Sequence, residues 1–371
     1  MSGLFIVAAG GTGGHLFPAE ALAAELIANS AKVRLVTEAR AHTLGGSVPG
    51  LEVCRIRTGR PGGGPMRTAW NLTQLAAGTV HARRLLSRLR PSAVIGFGGY
   101  PSLPTMLAAI SLGLPTAIHE QNAVLGRANR LLAPLVQRIA TGFPETAKLR
   151  PALRTRSIHT GNPVRPAILT LGEVGYQPPR RDDAVEILVL GGSQGAHILA
   201  EIVPAALAGS APSLRGRLRV SQQARPEDRS ALTAAYAEAG IHAEIETFFT
   251  DVPQRLARAH LVICRAGAST VAELAAIGRP ALLIPYPYAT DDHQTANARS
   301  FATAGGGRVI AQTDFRPETL RADLEELLAD AQRLEQMARQ AAAFGRRDAA
   351  RQLALLALSL GSASALQECA A

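Results

Sequence analysis

Short, nearly continuous apolar runs alternate along the chain with longer stretches in which apolar residues recur at helical spacing. The runs predict strands over 4–9, 32–37, 93–97, 116–118, 138–141 and 158–160 in the first half. The second half gives 186–190, 218–221, 245–249, 261–264 and 281–284. Between them Leu22, Leu26 and Ile27 mark the inner stripe of a first helix, 66–89 reads as one long helix, and a helical tail begins near Pro317. Apolar strands alternating with helices predict an α/β protein with helices packed on a parallel sheet. The stretch 163–181 is rich in Pro, Gly and charge, and the plan of the first half restarts after it. A chain of 371 residues exceeds what one core usually supports, so two domains are expected, over 1–163 and 164–344.

Composition narrows the partners. The net charge of +10 comes almost wholly from Arg and favours an anionic partner: phosphate, a membrane surface or nucleic acid. Aromatic residues are not interleaved with the basic ones, which argues against nucleic acid. Cys54, Cys264 and Cys369 have neither metal-ligand spacing nor a framework of bridges, so the thiols are expected reduced and the compartment cytosolic. The start of the chain enters a strand without a charged leader, and no apolar run reaches about twenty residues, so neither export nor a membrane span is expected.

The polar and glycine-rich positions gather where predicted strands end. Gly10-Gly11-Thr12-Gly13-Gly14-His15 follows the first strand, Gly98-Gly99-Tyr100 follows 93–97, and His119-Glu120-Gln121-Asn122 follows 116–118. In open α/β sheets ligands collect at these carboxyl ends. His15 is the candidate base, because an imidazole with an ordinary pKa of about 6.5 can accept a proton from a hydroxyl at neutral pH. A loop-capping role is its alternative. Asn122 offers both donor and acceptor to sugar hydroxyls, whereas His119 and Glu120 read better as a pair that orders the loop.

In the second half Gly191-Gly192-Ser193-Gln194-Gly195-Ala196 repeats the glycine loop, and Ser193 could offer hydroxyl and amide to a phosphate. Arg265-Ala266-Gly267-Ala268-Ser269-Thr270-Val271-Ala272-Glu273 then reads as strand, sharp turn at Gly267, and helix. Amides at Ala268, Ser269 and Thr270 would face a diphosphate, and Glu273 would accept from both hydroxyls of a ribose. Thr270 and Glu273 also fit a capping box, in which the glutamate serves the backbone alone. Asp291, Asp292, His293 and Gln294 open a neighbouring helix, and Phe249 is placed to lie against a flat base. In the long helix Met66, Trp70, Leu72 and Leu75 precede Arg83 and Arg84, an apolar and basic combination that suits an anionic membrane surface. An ordinary half-buried helix is the alternative.

These motifs, with Gly161-Asn162-Pro163-Val164-Arg165 and Asp292-His293-Gln294, resemble the MurG family of bacterial N-acetylglucosaminyltransferases from residue 3 to about 345. The resemblance implies a GT-B fold of two Rossmann-like parallel-sheet domains facing across a cleft, with a terminal helix over about 345–371 returning to the first. It implies an inverting hexosyltransferase that moves N-acetylglucosamine from UDP-N-acetylglucosamine to undecaprenyl-pyrophosphoryl-N-acetylmuramoyl-pentapeptide, lipid I, giving lipid II for peptidoglycan. Carried over by motif, His15 is catalytic, and the donor is held by Thr12, Gly13, Gly14, Asn122, Arg165, Ser193, Phe249, Gln294 and the run Ala268, Ser269, Thr270, Val271, Ala272 and Glu273. A backbone contact at Phe249 would suffice in the family. The patch around Trp70 and Leu75 becomes the membrane-docking surface of a peripheral protein at the cytoplasmic face, with other cell-wall synthesis proteins as further partners. No metal ligand or cofactor is expected. Two rival classes are an NAD-dependent oxidoreductase, for which Glu38 would be the ribose acid but the third glycine of the fingerprint is Leu16, and a non-catalytic protein recruited by anionic lipid.

Overall fold

The computed structural model describes residues 3–10, 13–38, 48–56, 65–192 and 195–368. Thr12, Ser193 and Cys369, named above, lie outside them, as does the side chain of Met66. The chain divides into two compact units. One holds the chain up to Arg165 together with Arg347 onward, and the other spans Pro166–Arg346.

The first unit is built on seven strands: β1 Leu4–Ala8, β2 Lys32–Glu38, β3 Glu52–Ile56, β4 Ala93–Gly96, β5 Thr116–Glu120, β6 Arg138–Thr141 and β7 Ser157–His159. They form one parallel sheet in the order β3-β2-β1-β4-β5-β6-β7. Side chains alternate across it with the period of a strand. Phe5, Val7, Leu35 and Ile95 enter one apolar layer, under α1 Gly13–Ala28. Ile6, Val36, Val94 and Ile118 enter the other, under α2 Pro65–Leu89, α3 Leu103–Ser111 and α4 Arg127–Leu132. Strands buried on both faces need the unbroken apolar runs seen in the sequence.

The second unit has six strands: β8 Val185–Leu190, β9 Leu218–Gln223, β10 His242–Glu246, β11 Leu261–Cys264, β12 Ala281–Leu283 and β13 Gly307–Val309, in the order β10-β9-β8-β11-β12-β13, again parallel. Its helices are α5 Pro166–Leu171, α6 His197–Ala208, α7 Pro212–Arg215, α8 Arg229–Glu238, α9 Val252–Arg258, α10 Ala268–Ile277, α11 His293–Thr303, α12 Pro317–Ala329 and α13 Ala331–Phe344. Val189, Val220, Ile263 and Leu282 meet Leu199, Leu232 and Leu324 in its core.

The last helix, α14 Ala349–Glu368, belongs to the first unit, where Leu353, Leu356, Ala357 and Leu360 join the layer of β1 and α1. Gly361 permits this approach. A Cβ there would lie 3.1 Å from Cβ of Ser92 and 3.2 Å from the Phe5 ring, tighter than side chains usually pack.

Two strands, β3 and β13, were not expected from the sequence. Both are edge strands, and neither is fully buried along its length, so neither carries a continuous apolar run. The strand expected over 245–249 lies earlier, over His242–Glu246, which places Phe249 in the turn before α9. β5 continues through His119 and Glu120, so these two residues are strand rather than loop.

Candidate functional site

Each sheet contains one place where the direction of winding reverses. In the first unit the chain leaves β1 towards β2 and β3, then returns to β4 on the other side. The loops after β1 and β4 therefore diverge to opposite faces and leave a crevice at the strand ends. His15 is the third residue of α1 and stands in this crevice. Gly99, in the loop after β4, has φ of 69°, a backbone that favours glycine, and a Cβ there would lie 3.5 Å from His15 Nε2 and Cδ2. One edge of the imidazole thus looks onto bare backbone.

The other edge is held. Gln121 Oε1 lies 2.8 Å from His15 Nδ1, and the Gln121 side-chain nitrogen donates to the His119 carbonyl at 3.0 Å. His119 is fully buried, 3.0 Å from the Gly161 carbonyl through Nε2, and its ring lies 5.3 Å from that of Phe97. Burial pushes its pKa down to about 4, outweighing the opposing hydrogen bond to Gly161. Glu120 orders the following loop. One carboxylate oxygen accepts from the backbone and side-chain nitrogens of Asn122 at 3.0 and 3.2 Å, the other from the Gly126 amide and the Asn129 side chain, both at 2.8 Å. That network sets the position of Asn122 at the lip of β5. Gly13 and Gly14 open α1, and the Arg165 guanidinium sits 5.7 Å from the Phe17 ring centre.

The second unit reverses between β8 and β11. Gly191 and Gly192, which follow β8, and the start of α10 therefore share one end of the sheet. Helix α10 begins at Ala268 with Gly267 as its N-cap, so Glu273 lies in the second turn. A capping box needs its glutamate three residues after the cap, and the capping reading of Thr270 and Glu273 fails on that geometry. Glu273 is nearly buried. Gly267 has φ of −63° and ψ of 145°, which any residue adopts. The sharp turn expected there does not depend on glycine; the missing side chain instead leaves the approach to the first amides bare. The Ser269 hydroxyl is buried without a hydrogen-bond partner among the described residues.

Gln294 ties two loops together: its Oε1 accepts from the amides of Ala266 at 3.2 Å and Tyr286 at 2.9 Å. Arg265 braces the same corner, donating to the carbonyls of Ile284 and Pro285, both at 3.1 Å, and to Gln312 at 2.7 Å. Asp291 and Asp292, with φ of 56° and 52°, hold adjacent left-handed backbone conformations just before α11. Left-handed backbone is uncommon at non-glycine residues, and aspartate tolerates it better than most.

Phe249 is differently placed from its expected role. Its side chain is 4 % exposed, and the Arg255 guanidinium covers the ring at 4.0 Å, so the ring is not free to meet a base. Phe248 beside it is 72 % exposed, which residue type alone did not reveal. Arg255 itself was missed in the sequence. It donates to Asp251 at 2.8 Å, to both oxygens of Glu244 at 2.8 and 2.6 Å and to the Ser221 hydroxyl at 2.8 Å, fastening the turn that carries both phenylalanines. On α2, Trp70 is 65 % and Leu72 59 % exposed, and Arg83 and Arg84 face solvent. Leu75 instead turns inward, against the layer under α2 and α3, because it falls on the stripe that also buries Ala82 and Leu86.

The glycosyltransferase family 28 N-terminal domain matches residues 5–141, and the family 28 C-terminal domain matches residues 186–353. A Rhodospirillum centenum protein named UDP-N-acetylglucosamine–N-acetylmuramyl-(pentapeptide) pyrophosphoryl-undecaprenol N-acetylglucosamine transferase is 53% identical over 349 residues, 94% of this chain and 92% of that protein. Its counterpart of the same name in Paramagnetospirillum magneticum is 51% identical over 358 residues, 96% of each chain. The crystal structure of Acinetobacter baumannii MurG superposes with a TM-score of 0.77 at 30% sequence identity, covering 96% of this chain and 99% of that one. The two Rossmann-like units are thus those of a GT-B glycosyltransferase, and the oxidoreductase and lipid-recruitment alternatives fall away. The chain belongs to glycosyltransferase family 28 and, within it, to the MurG family of N-acetylglucosamine transferases.

Proposed function

We propose that this chain transfers N-acetylglucosamine from UDP-N-acetylglucosamine to lipid I with inversion at the anomeric carbon. The observation that carries the reading is that each unit has its own crevice at the strand ends, the two differing in chemistry. One has a histidine with one open ring edge, and the other has a helix start with a nearly buried carboxylate one turn inside it. The acceptor hydroxyl attacks the anomeric carbon from the side opposite UDP, and His15 takes its proton as the new bond forms. The departing diphosphate gains charge, which the first amides of α10 at Ala268, Ser269 and Thr270 are suited to meet. A rotamer change would turn the unpartnered Ser269 hydroxyl to the same oxygens. Ser193 and Arg165 would add to this stabilisation.

Glu273 takes the ribose hydroxyls, with Val271 and Ala272 completing that turn. Gln294 keeps the two loops in register and has a side-chain nitrogen left to donate. The exposed Phe248 ring is the better surface for the base, with Phe249 contributing backbone. Thr12, Gly13, Gly14 and Asn122 contact the transferred sugar.

No helix among the described residues is long and apolar enough to cross a membrane. We assign lipid contact to a surface, with Trp70 and Leu72 entering the interface and Arg83 and Arg84 attracting anionic headgroups at the cytoplasmic face. Leu131 and Leu135, exposed in and just after α4 on the same side of the sheet, would extend it. Such a surface also leaves room for other cell-wall synthesis proteins.

The test is UDP release from UDP-N-acetylglucosamine with and without lipid I. Release that depends on the acceptor and is lost in His15→Ala supports the reading. A protein with intact fold that releases no UDP in the presence of acceptor overturns it.

A further inference from the structure

The hydrogen bonds behind His15 form a chain whose directions can be read from elementary chemistry. It ends at the Gly161 carbonyl, which can only accept. His119 Nε2, 3.0 Å away, therefore carries a proton. The buried ring is neutral at physiological pH, so its one proton is spent there and Nδ1 presents a lone pair. The side-chain nitrogen of Gln121 faces both that lone pair and the His119 carbonyl, each at 3.0 Å. Both are acceptors, and the amide nitrogen has two hydrogens to give. Reversing the amide would set its oxygen against the carbonyl oxygen. The main chain of Gln121 is itself pinned, its carbonyl accepting from Asn162 at 2.8 Å, while Asn129 donates to the His119 carbonyl at 3.2 Å.

Gln121 Oε1 must then point at His15. Being an amide oxygen it can only accept, so the proton of neutral His15 lies on Nδ1, 2.8 Å away. The lone pair is left on Nε2, at the edge that looks onto Gly99.

We propose that Gln121 and His119 are positioning residues that hold His15 in the Nδ1–H tautomer, so that Nε2 is the atom that receives the acceptor proton. This rests on the reading of His15 as the base. In the transfer step the acceptor oxygen bonds to the anomeric carbon, the bond from that carbon to the diphosphate oxygen breaks with its electron pair leaving on UDP, and the acceptor proton moves to Nε2. The imidazolium then keeps its Nδ1 hydrogen bond to Gln121 and returns the proton to water. Unlike a carboxylate-supported histidine, it is backed by a dipole and a neutral ring, so the fixed quantity is the tautomer rather than an added charge.

The experiment is long-range proton–nitrogen correlation on the full chain labelled with ¹⁵N-histidine, read alongside steady-state kinetics. The proposal expects opposite tautomers at the two rings in the resting protein, Nδ1–H at His15 and Nε2–H at His119. Gln121→Leu should release His15 towards the Nε2–H form and lower kcat on the order of ten-fold or more, with KM for UDP-N-acetylglucosamine nearly unchanged. Gln121→Glu, which keeps an acceptor oxygen at Nδ1 but sets its other oxygen against the His119 lone pair and carbonyl, should preserve the His15 tautomer, disturb that of His119, and recover only part of that loss. An Nε2–H tautomer at His15 in the unmodified protein overturns the proposal, whatever the variants do. The expected tautomers together with full turnover in His15→Ala would overturn the base reading instead, and with it the purpose of the chain.

Discussion

Acidification isolates the energetic cost of burying His119. In the unfolded chain its ring titrates near 6.5, and in the folded protein burial holds it down to about 4. Between these values the unfolded state binds a proton that the folded state does not, so stability rises with pH across the window and falls as pH drops through it. Each unit of separation corresponds to about 1.4 kcal/mol. From pH 7 to pH 5 only the span below 6.5 counts, roughly 1.5 units, so the buried ring removes about 2 kcal/mol of stability. His119→Gln removes the titration while keeping a side chain able to donate towards Gly161. Urea unfolding followed by circular dichroism at pH 7 and pH 5, for both proteins, gives the difference of differences. The unmodified protein should lose about 2 kcal/mol more than the variant. Equal losses would mean that His119 is not buried as a neutral ring, and the hydrogen-bond directions derived from it would fall as well.

Other perturbations address the second unit and the surface. Glu273→Gln removes the charge from the proposed ribose contact, worth about 1.5 kcal/mol or more, and should raise KM for UDP-N-acetylglucosamine on the order of ten-fold with a smaller change in kcat. Arg255 lowers the pKa values of Glu244 and Asp251 from 4.5 and 3.8, chiefly through its hydrogen bonds. The stability it adds is therefore present above those values and is lost as pH falls through the depressed ones. The two carboxylates are 52 % and 40 % exposed, so solvent screens the pairs and the gain is limited to about 1 kcal/mol. Arg255→Met should accordingly unfold at lower urea concentration at pH 7, with the gap to the unmodified protein narrowing as pH falls below the ordinary carboxylate range. Replacing Trp70 and Leu72 together by Ser should weaken sedimentation with anionic vesicles by more than ten-fold and leave binding of UDP-N-acetylglucosamine intact, since each side chain contributes about 1.5–3 kcal/mol when buried in lipid.

Much of this architecture could be read from the chain because strands buried on both faces must be apolar throughout. The runs at β1, β4 and β11 announced themselves for that reason. Edge strands escape the requirement, and β3 and β13 were invisible accordingly. The glycine loops and His15 were legible as local patterns at strand ends. What joins His15 to Gln121 was not, because those residues are 106 positions apart and meet only through sheet order. Glu273 left two readings open until the first residue of α10 was known, since a shift of three residues decides whether a glutamate falls at the capping position or in the turn beyond it. Arg279 shows a similar limit. Arginine is mostly an exposed residue, yet this one is buried, donating to the carbonyls of Leu256 at 2.9 Å and Ala257 at 2.6 Å near the end of α9, and of Ile277 at 3.3 Å and Gly278 at 3.2 Å at the end of α10. Helix ends supply the acceptors there, and a sequence does not display where two helices finish together.

The return of α14 to the first unit has a consequence for biosynthesis. During translation β1 and α1 emerge some three hundred residues before the side chains that cover one side of them, Leu353, Leu356, Ala357 and Leu360. The second unit is continuous in the chain and can close its core once Arg346 has left the ribosome. The order of completion is therefore the reverse of the order of synthesis, contrary to the usual vectorial pattern in which the amino-terminal domain folds first. Throughout that interval the nascent chain carries an uncovered apolar layer, and a ribosome stalled before α14 would hold a finished second unit beside a first unit that chaperones must shield.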